Sequence, residues 1–362
     1  MTRGSILCMH AAEVHMARFA VIGGGAWGTA LAAHAARIGH AAILWALEPE
    51  VAAEVTERHT NSVYLPEVTL PETLTASSDA RAVVADAEVV VLVPPSQHLR
   101  RVAVSIADVI ARDALVVVAT KGIEEQSLTL MSEVLAQALP AVGPERLAFL
   151  SGPSFAREVA RGLPTDVVVA SEKMIAARKV QPLVHAPLFR TYSSADPIGV
   201  QVGGAVKNVM AVATGACDGL GFGTNARAAL ITRGLAEMTR LGCALGANPL
   251  TFLGMAGVGD LVLTCTGDLS RNRTLGKQVA AGVDPQAYLA SQRSVAEGFY
   301  TAAAATALAR KLGVEMPITE NVHAVLHEHR PIADAVRLLL ERAYKDELAG
   351  IEPGVAPSET TC

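Results

Sequence analysis

Residues 19–30 read FAVIGGGAWGTA, a short apolar strand followed by glycines at 23, 25 and 28. No other stretch restricts the fold of this chain as tightly. The spacing G-x-G-x-x-G, closing a strand and opening a helix, has a mechanical reason for each glycine. Gly23 permits a tight turn, Gly25 lets backbone approach a pyrophosphate, and Gly28 lets the helix pack on the strand. The helix start then offers free N–H groups and the positive end of its dipole to phosphates. A glycine-rich turn without a ligand has no need of glycine at these three offsets. Glu48 follows the next strand, about twenty residues after Gly28. Its carboxylate would accept hydrogen bonds from the adenosine ribose and repel a 2′-phosphate, which favours NAD. Equally, Glu48-Pro49-Glu50 opens a helix, where an acid is favoured by the dipole. Both readings stay open at this point.

From Met16 onward, short β-branched runs alternate with amphipathic stretches. Strands are predicted at 19–22, 41–45, 88–93, 115–119, 147–151, 167–170 and 189–192. Helices are predicted between them at 49–58, 98–110, 128–139 and 173–185. Near-continuous apolar strands separated by helices mean a parallel sheet covered on both faces. After residue 197 only helical patterns remain, at 198–215, 226–245, 271–281, 301–311, 318–327 and 333–344. The expected architecture is an α/β, Rossmann-like dinucleotide-binding domain at 16–197, followed by an all-α C-terminal substrate domain at 198–349. Residues 1–15 lack the features of a signal peptide and read as a disordered tail or an over-extended start. Residues 350–362 read as a polar tail.

Charge is scarce in this chain. Of 362 residues, 51% are hydrophobic and 18% charged, with a mean hydropathy of +0.35. That supports a large buried core and excludes intrinsic disorder. It also raises the question of a membrane, because runs 19–36 and 241–259 carry no charge and approach the ~20 residues of a span. Neither reads as one: the first holds four glycines and His34, the second Asn248, Pro249 and five glycines. A net charge of −5 with scattered basic residues argues against a nucleic-acid partner. The five cysteines are odd in number and show no C-x-x-C spacing, which reads as reduced thiols in a cytoplasmic protein. His323 and His327 have the i, i+4 spacing of a metal pair but are read as part of a solvated helix face, so no metal is expected.

Scarcity makes the remaining charges informative. Lys207 is the only charged residue between Asp196 and Asp218. On a helix, Gly203 and Gly204 share its face and are expected to leave a bare groove beside the ammonium group. Burial lowers a lysine pKa toward the range useful for proton transfer. A snorkelling lysine is the plainer alternative; the glycines and the neighbouring Asn208 favour function. The second charge-free run ends at Asp260, a carboxylate that needs a partner if buried. Lys207 is the obvious one, with a helix N-cap role as the alternative. Thr264 lies at i+4 from Asp260. Lys121, closing a strand, is either an anion contact or a solvated strand end. Residues 151–156, SGPSFA, are either a substrate pocket or a plain strand–turn–helix link. Ser270-Arg271-Asn272 at a helix start is either a phosphate site or an ordinary cap with a solvated arginine.

Taken together these residues resemble the bacterial NAD(P)-dependent glycerol-3-phosphate dehydrogenases. The resemblance runs from about Met16 to Arg342, through VIGGGAWGTALA, NSVYLP, ATKGIE, LSGPSFAREVARGLPT, IGVQVGGAVKNVMAVATGACDGLGFGTNARAALITRGLAEM, GVGDLVLTCTGDLSRNRTLG, VAEG and LGVEMPIT. It implies reversible hydride transfer between dihydroxyacetone phosphate and sn-glycerol 3-phosphate, supplying phospholipid synthesis. By the same resemblance Lys207 is the general acid/base and Lys121 lies near both substrate and cofactor. Gly152, Ser154, Asn208, Asp260, Thr264, Ser270, Arg271 and Asn272 line the substrate, with Arg271 and Asn272 on its phosphate. Trp27, Ala156, Arg271, Val295 and Glu297 touch the cofactor. Two departures stand out. Leu47 and Glu48 occupy the place where many relatives carry Arg or His for a 2′-phosphate, so NAD is preferred over NADP. Ala26 stands where relatives often have Ser, which removes a side-chain phosphate contact and leaves the backbone N–H. The helical domain points to a homodimer. The competing readings are a 3-hydroxy acid dehydrogenase of similar two-domain build, and a non-catalytic NAD-sensing protein.

Overall fold

The computed structural model describes residues 16–341. The tails expected at 1–15 and 350–362, and the ends of the predicted C-terminal domain and last helix, lie outside them. Eight strands form one sheet: β1 (Arg18–Ile22), β2 (Ala41–Trp45), β3 (Thr75–Ser77), β4 (Val89–Leu92), β5 (Leu115–Val118), β6 (Leu147–Ser151), β7 (Thr165–Ala170) and β8 (Phe189–Ser194). Their spatial order is β3-β2-β1-β4-β5-β6-β7-β8, the doubly wound order of a Rossmann-like sheet with two strands added. The order reverses between β1 and β4, which pair in parallel from Phe19↔Val89 to Ile22↔Leu92. In such sheets the crevice beyond these strand ends is where ligands bind.

Both faces of the sheet are covered, as the apolar strands predict. Phe19 and Val21 of β1 face one core, shared with the Ala26–Arg37 and Met174–Val184 helices. Ala20 and Ile22 face a second, shared with the Leu99–Ile106 and Met131–Ala138 helices. That is the period-2 alternation of a strand buried on both sides.

The sheet is not parallel throughout. β7 runs antiparallel to β6, with Ser151 opposite Val168 and Phe149 opposite Ala170, and β8 is parallel to β7. The link from β6 to β7 holds only the five-residue Ala156–Ala160 helix. It does not carry the chain back along the sheet, so β7 starts where β6 ends. The three-residue β3, TAS, escaped the sequence reading because it is too short and too polar to show a period.

From Pro197 the chain is helical. The Pro197–Gly219 helix is buried on nearly every side and forms the axis of a third core. A helix apolar all round belongs in an interior. The Gly223–Ala244, Asp260–Thr266, Arg271–Ala280 and Glu297–Leu312 helices pack on it. Asp196 anchors its start, accepting from Gly199 N at 2.9 Å, Asn248 N at 2.9 Å and Thr251 Oγ1 at 2.6 Å. Among the described residues no helix is long and apolar enough to cross a membrane. The charge-free run 19–36 is β1, the glycine turn and a buried helix.

The histidine pair does not lie on the solvated helix face expected for it. His323 and His327 stack with ring centroids 5.0 Å apart, half-buried, and a His327 ring nitrogen bonds Phe299 O at 2.9 Å. Among the described residues no group of three metal-ligating side chains converges. Cys217, Cys243 and Cys265 are free thiols; Cys8 and Cys362 lie outside the described residues.

Candidate active site

The glycine turn has the shape its spacing predicts. Gly23 sits at φ +135°, where a Cβ would meet the Val93 carbonyl at 2.9 Å. A Cβ on Gly28 would lie 1.9 Å from Gly23 O, so helix and turn meet at backbone contact. Gly25 is different: a Cβ there would touch nothing within 4 Å. It is the N-cap of the Ala26–Arg37 helix, and no side chain caps that end. Open space in front of uncapped N–H groups fits a pyrophosphate. Trp27 and Ala156 pack on the same core beside the turn, and the buried Trp27 indole N–H has no protein partner. An orphaned buried donor at this place also fits a bound ligand.

Asn61, not assigned from the sequence, braces the turn. Its Nδ2 donates to Gly24 O at 2.9 Å and Thr29 Oγ1 at 2.8 Å, and its Oδ1 accepts from Tyr64 N at 3.1 Å. Tyr64 then donates its hydroxyl to Glu48 at 2.8 Å. Burial, and then this carboxylate, push the Tyr64 pKa up to about 12. Glu48 is the N-cap residue of the Pro49–Arg58 helix, yet its side chain caps nothing. The helix-start reading therefore has position without the bond, and the carboxylate is held off the helix end by Tyr64.

The catalytic candidates converge on Asp260, which is fully buried. Its Oδ1 accepts from Lys207 Nζ and its Oδ2 from Lys121 Nζ at 2.8 Å. Lys207 also donates to Thr264 Oγ1 at 3.0 Å, and Lys121 to Gly152 O at 3.3 Å. Gly152 O takes the Ser154 hydroxyl at 2.8 Å. Lys207 is 7% exposed and therefore does not snorkel. Two ammonium groups against one carboxylate leave this pocket with a net positive charge, suited to an anionic substrate. Burial and the neighbouring Lys121 draw the Lys207 pKa down to about 7, against the pull of Asp260. For Asp260 burial acts upward, but the two lysines outweigh it and hold the acid below the usual carboxylate range.

Asp260 does not cap a helix: it is the first residue of the Asp260–Thr266 helix. Nor do Gly203 and Gly204 leave a bare groove. A Cβ on Gly203 would lie 2.2 Å from Ala256 O, and one on Gly204 2.8 Å from Ser151 Oγ and 3.4 Å from Lys121 Cγ. The space is taken by the chain leading to Asp260 and by Lys121 itself. These glycines let the partners of Lys207 come close.

Ser270 caps the Arg271–Ala280 helix, accepting from Arg273 N at 3.2 Å. Two arginines follow with opposite fates. Arg273 is buried and paired with Asp218 and Asp268, both at 2.7 Å. Arg271 is exposed and forms no ion pair among the described residues. Enough protein surrounds it that desolvation lowers its pKa, while Glu297 opposes this. Asn272 is buried and bridges Asn208 Oδ1, by its Nδ2 at 2.9 Å, to Gly298 N, by its Oδ1 at 2.9 Å. One Asn272 donor is left over. The phosphate candidates thus adjoin the Lys207 cluster through Asn208. The glycine turn meets both through the chain after β4, which holds Val93, Thr120 (to Pro94 O, 2.7 Å) and Glu297 (to Ser96). Val295 is half-buried just before Glu297.

A large hollow lies elsewhere. A mostly apolar groove of about 1200 Å³ runs between the Pro197–Gly219, Gly223–Ala244 and Pro317–His327 helices and holds none of these residues. Charge, orphaned donors and paired titratable groups mark the site better than volume does.

Comparison with known proteins identifies the family. Residues 18–177 match the family model of the NAD-dependent glycerol-3-phosphate dehydrogenase N-terminus, and residues 196–337 that of its C-terminus. The chain belongs to this family. A glycerol-3-phosphate dehydrogenase [NAD(P)+] of Geobacter sp. (strain M21) is 49% identical over 330 residues, covering 91% of this chain and 98% of that protein. One from Syntrophotalea carbinolica is 50% identical over 328 residues, covering 91% and 98%. The crystal structure of a glycerol-3-phosphate dehydrogenase from Coxiella burnetii has a TM-score of 0.86 at 41% identity, covering 90% of this chain and 99% of that one.

Proposed function

We propose that this chain catalyses reversible hydride transfer between NAD(H) and the pair dihydroxyacetone phosphate and sn-glycerol 3-phosphate, with Lys207 as general acid/base. The observation that carries the reading is the Lys207–Asp260–Lys121 triad, with Lys207 and Asp260 buried, in a chain whose Arg271 is left exposed and unpaired at a helix start. The dinucleotide would supply or accept the hydride; residues 16–197 would carry most of its site, and the helices from Pro197 to Leu340 would complete it and hold the substrate's phosphate. Gly23, Gly25 and Gly28, with the Ala26 backbone N–H, would take the pyrophosphate. Trp27, Ala156, Val295 and Glu297 would line the rest, and Glu48 would meet the adenosine ribose.

In the reducing direction the substrate carbonyl carbon gains the hydride and the carbonyl π pair moves to oxygen. The Lys207 ammonium gives that oxygen its proton and becomes a neutral amine. In oxidation the amine takes the proton back. A lysine drawn near neutrality serves both directions at ordinary pH. Asp260 stays ionised, orients Lys207 and shares its charge with Lys121. Lys121, Gly152 and Ser154 line the substrate beside the reacting carbon, with Thr264 and Asn208 fixing Lys207 and Asn272.

Ser270, Arg271 and Asn272 would receive the phosphate at a helix start, with charge and N–H groups both in place. Arg271→Ala is expected to weaken substrate binding by ~1.5–3 kcal/mol, the value of a hydrogen bond to a charged group. Steady-state kinetics with dihydroxyacetone phosphate check this. An unchanged KM and kcat would make Arg271 a plain surface residue. A phosphate site here also favours this substrate over a 3-hydroxy acid, whose carboxylate requires no such site. The retained acid/base pair argues against a non-catalytic sensor.

We also infer a cytoplasmic homodimer. The free thiols support the compartment. The exposed Phe222 and Leu340 along the apolar groove support an interface. A solution mass twice the 37.6 kDa of one chain checks the dimer, and a monomer at micromolar concentration would refute it.

A further inference from the structure

Ser96 lies in the turn after β4, fully buried, and has appeared above only through its contact with Glu297. Its backbone N–H and its hydroxyl donate to the two carboxylate oxygens of Glu297, at 3.0 and 2.6 Å. The two residues are 201 positions apart and belong to opposite halves of the molecule. Glu297 opens the Glu297–Leu312 helix, where the dipole favours an acid.

Further contacts tie this clasp to the site. A Cβ on Gly122 would lie 2.5 Å from Ser96 Cβ and 3.3 Å from Glu297 Oε2, so the clasp presses on the backbone next to Lys121. Gln97 holds the following segment, donating to Ile123 O at 2.9 Å and accepting from Glu125 N at 3.0 Å. On the other side Gly298 N donates to Asn272, which donates to Asn208 beside Lys207.

The chemistry is unlike that of a bond made for stability alone. Holding a half-buried carboxylate out of contact with a cation is costly, and a neutral pair would join the halves more cheaply. Glu297 has no ion pair in contact among the described residues; Arg271 and Glu125 face it from further off. A carboxylate offers about four acceptor positions, and Ser96 fills two. Acceptor capacity remains for hydroxyl groups of a ligand between the halves.

We propose that Ser96 is a positioning residue for the cofactor. By holding Glu297 across the cleft from the end of β4, it sets the carboxylate to receive a dinucleotide hydroxyl and fixes the spacing of the two halves. This rests on the dinucleotide reading given above. Burial acts to raise the Glu297 pKa, and the two Ser96 donors act to lower it.

The test uses the full chain and four forms: wild type, Ser96→Ala, Glu297→Gln and the double variant. NADH affinity is read at equilibrium from quenching of protein fluorescence, alongside KM, kcat and Tm. Ser96→Ala is expected to weaken NADH roughly tenfold, the equivalent of one charge-assisted hydrogen bond. KM for NADH should rise in parallel while kcat changes less than about threefold. The acid limb of NADH binding should move to higher pH, because Glu297 loses a donor that favours its charged form. The double variant should bind no worse than Glu297→Gln alone. A lowered Tm with NADH affinity and its pH dependence within twofold of wild type overturns the role of Ser96, as do losses that simply multiply in the double variant. A wild type that binds neither NADH nor NADPH overturns the dinucleotide reading, and this proposal with it.

Discussion

Lys207→Ala is expected to lower kcat for dihydroxyacetone phosphate reduction by ~10²–10⁴-fold, the usual contribution of a positioned general acid. NADH binding should change little, because Lys207 contacts Asp260 and Thr264 and not the glycine turn. The wild-type pH profile carries the same claim with a sign. Reduction requires the ammonium form, so its kcat/KM should fall as pH rises through about 7. Oxidation requires the amine, so its rate should rise over the same interval. Stopped-flow or steady-state absorbance at both ends of that range measures this. A reduction rate that is flat across it, together with a Lys207→Ala variant retaining a tenth of wild-type kcat, would remove Lys207 from the chemistry.

The second large effect concerns Asp260. Asp260→Ala leaves the Lys121 and Lys207 amino groups without the carboxylate oxygen that each had. Breaking one side of a buried pair costs about 3–5 kcal/mol. Urea denaturation should show a loss of that order, and activity should fall with it. Asp260→Asn keeps the shape and isolates the charge. Asp260 raises the Lys207 pKa, so its neutral replacement should move the fall in reduction rate to lower pH. An unchanged unfolding midpoint in the first variant, or an unmoved pH profile in the second, would contradict the shared-carboxylate arrangement.

What the sequence disclosed was local in origin. The three glycines state a backbone requirement within six residues, and the structure meets it with a positive φ at Gly23 and backbone contact at Gly28. Lys207 and Asp260 stood out because apolar chain surrounds each, and burial is a property that composition reports. What stayed hidden depends on long-range geometry. That Asp260 serves Lys121 as well as Lys207 joins residues 139 positions apart, and no pattern near Lys121 separates a paired from a solvated lysine. Gly203 and Gly204 were legible as missing side chains but not as room for Ala256 and Lys121. The direction of β7 was hidden for a related reason: it turns on the path of a short helix, while the strand's own residues, TDVVVA, suit either pairing. Asn61 and Ser96 each sit in an ordinary-looking connection and act through residues distant in sequence, Gly24 and Thr29 for the first and Glu297 for the second. A position just after a central strand was the one available signal for Ser96.

One assay measures the proposed activity directly. Purified protein is mixed with dihydroxyacetone phosphate and either NADH or NADPH, and the loss of absorbance is followed. The prediction is turnover dependent on the triose phosphate, with kcat/KM higher for NADH because the Glu48 carboxylate after β2, bonded by Tyr64, would repel a 2′-phosphate. A clear preference for NADPH would contradict the role of Glu48 alone. No turnover with either cofactor would contradict the function itself.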